Sequence, residues 1–203
     1  MIAVVDYNMG NLRSVENAFL KIGSKVTIVK NPKEIKNYDK LILPGVGAFG
    51  DAMKHLKQSG LDEAIKEFAS LGKPLLGICL GMQLLLESSD EFGEHEGLGL
   101  ICGKIRKFDK EKFQTPLKVP HMGWNEIFVQ KKTPLFKNLE KEFYLYFVHS
   151  YHAICESKYT IGESEYGYSF SSAINKDNIY GLQPHPEKSH KNGLQILKNF
   201  TEM

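Results

Sequence analysis

An α/β fold is predicted, built on an open and mostly parallel sheet flanked by helices, with a β-rich second half. Three observations predict it. Short apolar runs of strand length alternate with amphipathic helical stripes through the N-terminal half. Glycines and prolines punctuate the ends of those runs, where tight strand-to-helix turns belong. From about residue 103 to residue 182 the helical stripes give way to short extended segments.

The elements follow in order. Ile2-Ala3-Val4-Val5 is apolar throughout, as expected of a short strand covered on both faces. Leu12, Val15, Phe19 and Ile22 recur at helical spacing and form one apolar stripe, with Gly23 placed to close the helix. Residues 25–29 form a second strand, after which Asn31-Pro32 turns the chain, and Leu41-Ile42-Leu43 is a third. Helical patterns over 51–57 and 62–71 lead to the apolar run Pro74-Leu75-Leu76 and, after a turn, to a helix through 82–86. In the second half, residues 118–120, 144–149 and 171–175 are predicted as strands. Residues 189–200 form a closing helix, with Ser189 as N-cap and Leu194, Ile196, Leu197 and Phe200 to pack. No repeat, low-complexity tract or linker interrupts the chain, so residues 1–203 are expected to form a single domain.

Composition excludes several classes of function. Lys and Arg number 26 against 24 Asp and Glu, a net charge of +2 that creates no large steering field. Arg13 and Arg106 are the only arginines, too few for a nucleic-acid surface built on bidentate contacts. No stretch approaches the roughly 18 consecutive apolar residues that span a bilayer. The N-terminus reads as a core strand and not as a signal peptide. Cys79, Cys102 and Cys155 make an odd set without metal-ligand spacing, which points to a reducing cytoplasm.

Chemistry concentrates in two places. Gly77-Ile78-Cys79-Leu80-Gly81 lies between an apolar strand and an apolar helix, the arrangement of a nucleophile elbow with Cys in place of Ser. Gly81 lets the helix start close to the strand, and Gly77 leaves room beside the cysteine. A thiol at a helix N-terminus feels unpaired N–H groups, which favour the reactive thiolate. From the pentapeptide alone a buried structural cysteine remains an equal reading. Far along the chain stands Gln183-Pro184-His185-Pro186-Glu187. Pro186 drives His185 toward an extended conformation, in which His185 and Glu187 point to the same side. A carboxylate on one ring nitrogen leaves the other for the nucleophile. Gly45-Val46-Gly47 follows the third strand, so the carboxyl edge of a parallel sheet can gather it beside Cys79. There the N–H of Leu80 and that of the Gly45–Val46 peptide would hold an oxyanion, and the flanking glycines would let that peptide rotate.

These residues resemble a known family, the class I (triad) glutamine amidotransferases, and within it the glutaminase subunit of imidazole glycerol phosphate synthase. The resemblance runs nearly end to end: Asp6-Tyr7-Asn8-Met9-Gly10-Asn11-Leu12-Arg13-Ser14-Val15, Leu43-Pro44-Gly45-Val46-Gly47-Ala48-Phe49, the Cys79 elbow, Pro120-His121-Met122-Gly123-Trp124-Asn125, Phe147-Val148-His149-Ser150-Tyr151 and His185-Pro186-Glu187-Lys188-Ser189. Pro184 departs from the family's frequent aromatic, and Asn8 stands where Gly is common. The resemblance implies a flavodoxin-like sheet and a catalytic triad of Cys79, His185 and Glu187. It also implies a glutamine pocket shaped by Gly47, Gln83, Ser150 and Tyr151, with no cofactor and no metal. It further implies a heterodimer with a (β/α)8 cyclase of histidine biosynthesis. Asn11, His121, Met122, Gly123, Trp124, Asn125 and Lys188 would lie on the surface facing that partner. His-Met-Gly-Trp-Asn mixes polar and large apolar groups without alternation, which suits a partner surface better than a core strand.

Two rivals stay open on the residues alone. A paralogous subunit feeding ammonia to a nucleotide-sugar amidination synthase would share the catalytic residues, and a stand-alone cysteine hydrolase or non-catalytic module would share the fold. Among the remaining polar residues, His149 and His152 are expected on opposite faces of one strand, which argues against a metal pair. His190 is expected on the surface of the last helix, and Cys102 and Cys155 in the core.

Overall fold

The computed structural model describes all residues from 1 to 203. The N-terminal half alternates strand and helix: β1 (Ile2–Val5), α1 (Leu12–Lys21), β2 (Val26–Val29), α2 (Pro32–Ile35) and β3 (Lys40–Leu43). Two consecutive helices follow, α3 (Phe49–Ser59) and α4 (Leu61–Ser70), with Gly60 at φ 70° as the pivot between them. β4 (Leu75–Ile78) then runs into α5 (Leu80–Leu84). Short strands come next: β5 (Ser88–Ser89), β6 (His95–Glu96) and β7 (Lys104–Lys107). The second half is a set of longer strands, β8 (His121–Val129), β9 (Glu142–His149), β10 (Tyr151–Ile154), β11 (Thr160–Glu165), β12 (Ser169–Lys176) and β13 (Ile179–Leu182), closed by α6 (His190–Glu202).

One sheet connects all of them. Its main path is β2-β1-β3-β4-β13-β12-β10-β7-β5-β6. The first five strands are parallel neighbours, and from β12 onward the pairing turns antiparallel, apart from β5 alongside β7. β11, β8 and β9 branch off β12 as a second antiparallel wing.

Pleating divides the parallel strands between two apolar layers. Ala3, Val5, Leu41, Leu43 and Leu75 join Phe49, Leu56, Ile65 and Phe68 of α3 and α4 on one face. Ile2, Val4, Ile42, Leu76 and Ile78 join Val15 and Phe19 of α1 and Ile196 and Phe200 of α6 on the other. The β8–β9 wing packs into this second layer through Ile127, Leu145 and Phe147. Covering both faces of β1, β3 and β4 explains why these strands carry no polar alternation.

Several expectations need correction. The strand expected at 118–120 starts only at His121 and runs to Val129. The helix expected through 82–86 ends at Leu84, because the carbonyls of Leu84, Leu85 and Leu86 accept N–H groups from Leu98, Leu100 and Gly99 of a returning loop. Ser189 stands at the N-cap of α6 as expected, its carbonyl accepting the Gly193 N–H, but its side chain makes no capping hydrogen bond. Its Oγ donates to the His185 carbonyl and accepts from the Tyr146 N–H. Cys102 is exposed in a turn where the preceding Ile101 takes the core position, and Cys155 is only partly buried. His149 and His152 do not face apart: the extended chain breaks at Ser150 between β9 and β10, and both imidazoles pack on Phe108 with centroids 5.2 and 4.8 Å away.

Candidate active site

The carboxyl ends of β3, β4 and β13 lie side by side, and the turn after each delivers one part of the site. After β4 the chain reverses at Cys79, which sits at φ 53° and ψ −111°, a conformation that side-chain-bearing residues rarely adopt. Its N–H donates to Leu182 O of β13 at 2.7 Å, so the sheet holds the turn. Gly81 acts as expected, and Gly77 does not. A Cβ on Gly81 would lie 1.7 Å from Leu43 O, and one on Gly77 would lie 2.7 Å from the Gly81 carbonyl carbon. Both therefore allow α5 to nest against β3 and β4, and Gly77 leaves room for backbone and not for the thiol. Gly81→Ala would drive α5 off the sheet.

After β13 comes Gln183, then His185, whose N–H donates to Tyr146 O at 2.9 Å. His185 is extended (φ −100°, ψ 92°), but Glu187 lies inside a 3-10 turn, Pro186–Lys188. That turn, and not an extended strand, swings the carboxylate back to within 2.7 Å of His185 Nδ1. The two side chains are each 2 % exposed. His185 Nε2 and Glu187 Oε2 are buried with no hydrogen-bond partner in the protein. Burial pulls the imidazole pKa down, but the Cys79 sulfur and the Glu187 carboxylate outweigh it and hold the pKa well above the usual histidine range.

Cys79 and His185 meet at a cleft of about 290 Å³ that Val46, Gly47, Leu80, Gln83, Ser150 and Tyr151 also line. Every predicted pocket residue except Gly45 thus reaches it. Gly45 sits just behind, where a Cβ would lie 2.4 Å from the Tyr7 hydroxyl, and that hydroxyl donates to Pro44 O at 2.8 Å. Leu80 is the first residue of α5, so its N–H stands outside the intrahelical ladder. The Val46 N–H, expected to face the cleft, instead donates to Met9 O at 3.3 Å.

Residues that sequence reasoning missed also face the cleft: Glu91, Pro120, Val148 and His149. Glu91 accepts the Phe49 N–H of α3 at 2.7 Å, which ties its loop over the cleft. Gln183, wholly buried behind Cys79, was visible inside the quoted motif at the carboxyl end of β13. Position after a central strand was the signal that could have marked it.

The residues expected on a partner surface divide. Met122 and Trp124 are 62 % and 47 % exposed, and Asn11 and Lys188 are exposed. Trp124 stacks on His190 at 5.2 Å and 9°. Gly123 and Asn125 are half-buried. His121 is buried at 3 %, its Nδ1 3.0 Å from His149 Nε2, so it cannot face a partner. β8 does alternate: His121 and Ile127 point in while Met122 and Trp124 point out. No three His, Cys, Asp or Glu side chains gather so as to hold a metal ion, and no helix is long and apolar enough to cross a membrane.

The chain is 68 % identical over 203 residues, all of this chain and 98 % of the relative, to imidazole glycerol phosphate synthase subunit HisH of Sulfurimonas denitrificans. It is 60 % identical over 204 residues to the subunit of the same name from Wolinella succinogenes, with both chains fully covered. Among solved structures, PurLQS from Thermotoga maritima superposes with a TM-score of 0.77 at 20 % identity, covering 99 % of this chain and 97 % of that one, a likeness of fold. The family described as glutamine amidotransferase class-I matches residues 3–203, and the chain belongs to it.

Proposed function

We propose that this chain is the glutaminase subunit of an imidazole glycerol phosphate synthase, hydrolysing glutamine and passing ammonia to a (β/α)8 cyclase subunit in the cytoplasm. The observation that carries this reading is His185. One ring nitrogen is held by Glu187, and the other is buried and unpaired at a cleft that also holds Cys79. The named relatives favour this acceptor over a nucleotide sugar. A continuous sheet between the two apolar layers supports reading residues 1–203 as a single domain.

The reaction runs in two halves. The Cys79 sulfur attacks the side-chain carbonyl carbon of glutamine and forms a C–S bond. His185 Nε2 gives its proton to the nitrogen as the C–N bond breaks and ammonia leaves. Water then adds to the thioester while the same nitrogen takes its proton, and the C–S bond breaks to release glutamate. Glu187 orients the imidazole and stabilises its cation. The Leu80 N–H is placed for the oxyanion, and the Val46 N–H joins it once the Gly45–Val46 peptide leaves Met9 O. Losing one such donor costs about 3–4 kcal/mol of barrier, so the peptide can act as the partner's switch. Binding drives it only through differential affinity for the two orientations.

Glutamate release is to be measured for the isolated chain, then with the cyclase, then with cyclase and acceptor. The rate is expected to rise at each step, to vanish in Cys79→Ala, and to survive in Cys102→Ala and Cys155→Ala. Equal rates in all three conditions would discard the switch, and activity in Cys79→Ala would discard the whole mechanism.

A further inference from the structure

We propose that Gln183 is a positioning residue that fixes the polarity of the glutamine pocket. It holds Gln83 with its carboxamide oxygen available to the ligand, and it presents its own N–H to the Cys79 sulfur. This rests on the glutaminase reading and adds to it a residue and a rule of recognition.

The argument is one of donors and acceptors. Gln83 Nε2 carries two hydrogens, and two acceptors lie within reach: Tyr151 O at 3.2 Å and Gln183 Oε1 at 3.0 Å. Tyr151 O is a backbone carbonyl and can only accept. It is itself pinned by His149 Nδ1 at 2.8 Å. Turning the Gln83 amide over would set its oxygen against that carbonyl with no proton between them, a repulsive contact in a buried place. Both Gln83 hydrogens are therefore committed, and its oxygen is the group left for the cleft it lines.

Gln183 is 0 % exposed. Its oxygen is occupied by Gln83, which leaves its Nε2 beside Cys79 Sγ at 3.9 Å. Its backbone N–H donates to Ser172 O at 2.9 Å, so the residue has no slack along the strand direction. From Tyr151 O to the sulfur only one arrangement of donors and acceptors fits: Gln83 donates both ways, and Gln183 donates to the sulfur. An acceptor at Gln83 selects a ligand group that donates, an ammonium or carboxamide N–H, and disfavours a carboxylate in that place. A donor at the sulfur favours the attacking thiolate.

The test uses 6-diazo-5-oxo-L-norleucine, a glutamine analogue that alkylates the nucleophile, on the isolated full chain. Mass spectrometry locates the label, and saturation kinetics separate binding (KI) from the bond-forming step (kinact). Gln183→Glu keeps an acceptor for Gln83 but replaces the donor beside sulfur with oxygen. KI is expected within about threefold of wild type and kinact lower by at least about tenfold, the scale of one hydrogen bond. Gln183→Leu frees Gln83, and KI is expected to rise by about tenfold. Protection of the label by glutamine over glutamate should also narrow in that variant. Gln83→Leu added to Gln183→Leu should raise KI little further, because the two residues act as one unit. Equal loss of KI and kinact in Gln183→Glu, or full additivity of the two leucine changes, would overturn the proposal and leave the glutaminase reading standing. Labelling away from Cys79 in the wild type would remove both.

Discussion

Four histidines are buried in this chain: His185, after the parallel strand β13, and His121, His149 and His152 in the antiparallel half, of which His149 also lines the cleft; they differ in charge logic. Burial pulls all four toward the neutral form. For His185 the sulfur of Cys79 and the carboxylate of Glu187 reverse that pull. The other three sit among Phe108, Phe147, Phe170, Tyr166 and Tyr168, with no carboxylate bonded to them. Burial pushes His121 down to about 4 and His149 down to about 3. Hydrogen bonds leave the tautomers little choice: the Asn125 amide donates to His121 Nε2, His121 Nδ1 donates to His149 Nε2, and His149 Nδ1 donates to Tyr151 O. Depth in the protein does not distinguish His185 from the other three buried histidines. The neighbouring charge does.

Removing that charge is the sharpest way to break the comparison. Glu187→Gln keeps the size of the side chain, so glutamine binding should change little. Turnover should fall by about four orders of magnitude, as when another triad lost its orienting carboxylate. Steady-state glutamate release in the presence of partner and acceptor measures it, and the alkaline titration of His185 should move down in the same variant. An unchanged rate would mean that Glu187 is not what separates His185 from the other three.

A smaller effect concerns stability against pH. The unfolded chain protonates His149 near its ordinary value of about 6.5, whereas the folded chain refuses the proton until about 3. Stability present above about 6.5 is therefore lost as pH falls through that window, by about 1.4 kcal/mol per pH unit for such a group. His185 has the opposite sign: its raised folded value contributes stability that is full below about 6.5 and fades as pH rises through the folded value. Urea midpoints from pH 7 down to 4 should decline, and His149→Gln should flatten that acid limb without touching the alkaline one.

The smallest effect is expected on the outward face of β8. Trp124 stacks on the exposed His190 from the outward face of β8, while His121 of the same strand is buried on the inward face, so one strand carries both kinds of environment. Trp124→Ala should alter the stability of the isolated chain by no more than about 0.5 kcal/mol. Cyclase affinity should weaken by about 2 kcal/mol, the scale of an interfacial aromatic anchor. Isothermal titration against the cyclase decides this, and an unchanged affinity would return Trp124 to the status of an ordinary surface aromatic.

How much of this was legible in the sequence follows from how local each feature is. β1 was read to the residue and β3 to within one, because buried parallel strands are plain apolar runs. Cys79 and His185 were legible because their turns need particular glycines and prolines nearby. His121 was placed on the surface because the pleat of β8 is set by pairing with β9, from His121 opposite His149 to Phe128 opposite Glu142. The early end of α5 depends on amides from residues 98–100 that close over its carbonyls. Gln183 stood in view, but its partner Gln83 is a hundred positions away, and no local pattern announces that hydrogen bond.

The place of β13 in the sheet has a consequence for how the enzyme is made. Residues 179–182, near the end of the chain, occupy the slot beside β4, so neither neighbouring half can close without them. Contacts this distant in sequence form late, and folding during synthesis must wait for them. A nascent chain paused before residue 179 has a thiol but no Leu182 carbonyl to hold its turn and no imidazole to serve it. On the proposed mechanism such a chain leaves glutamine untouched: hydrolysis begins only once residues 179–187 have been made and have joined the sheet.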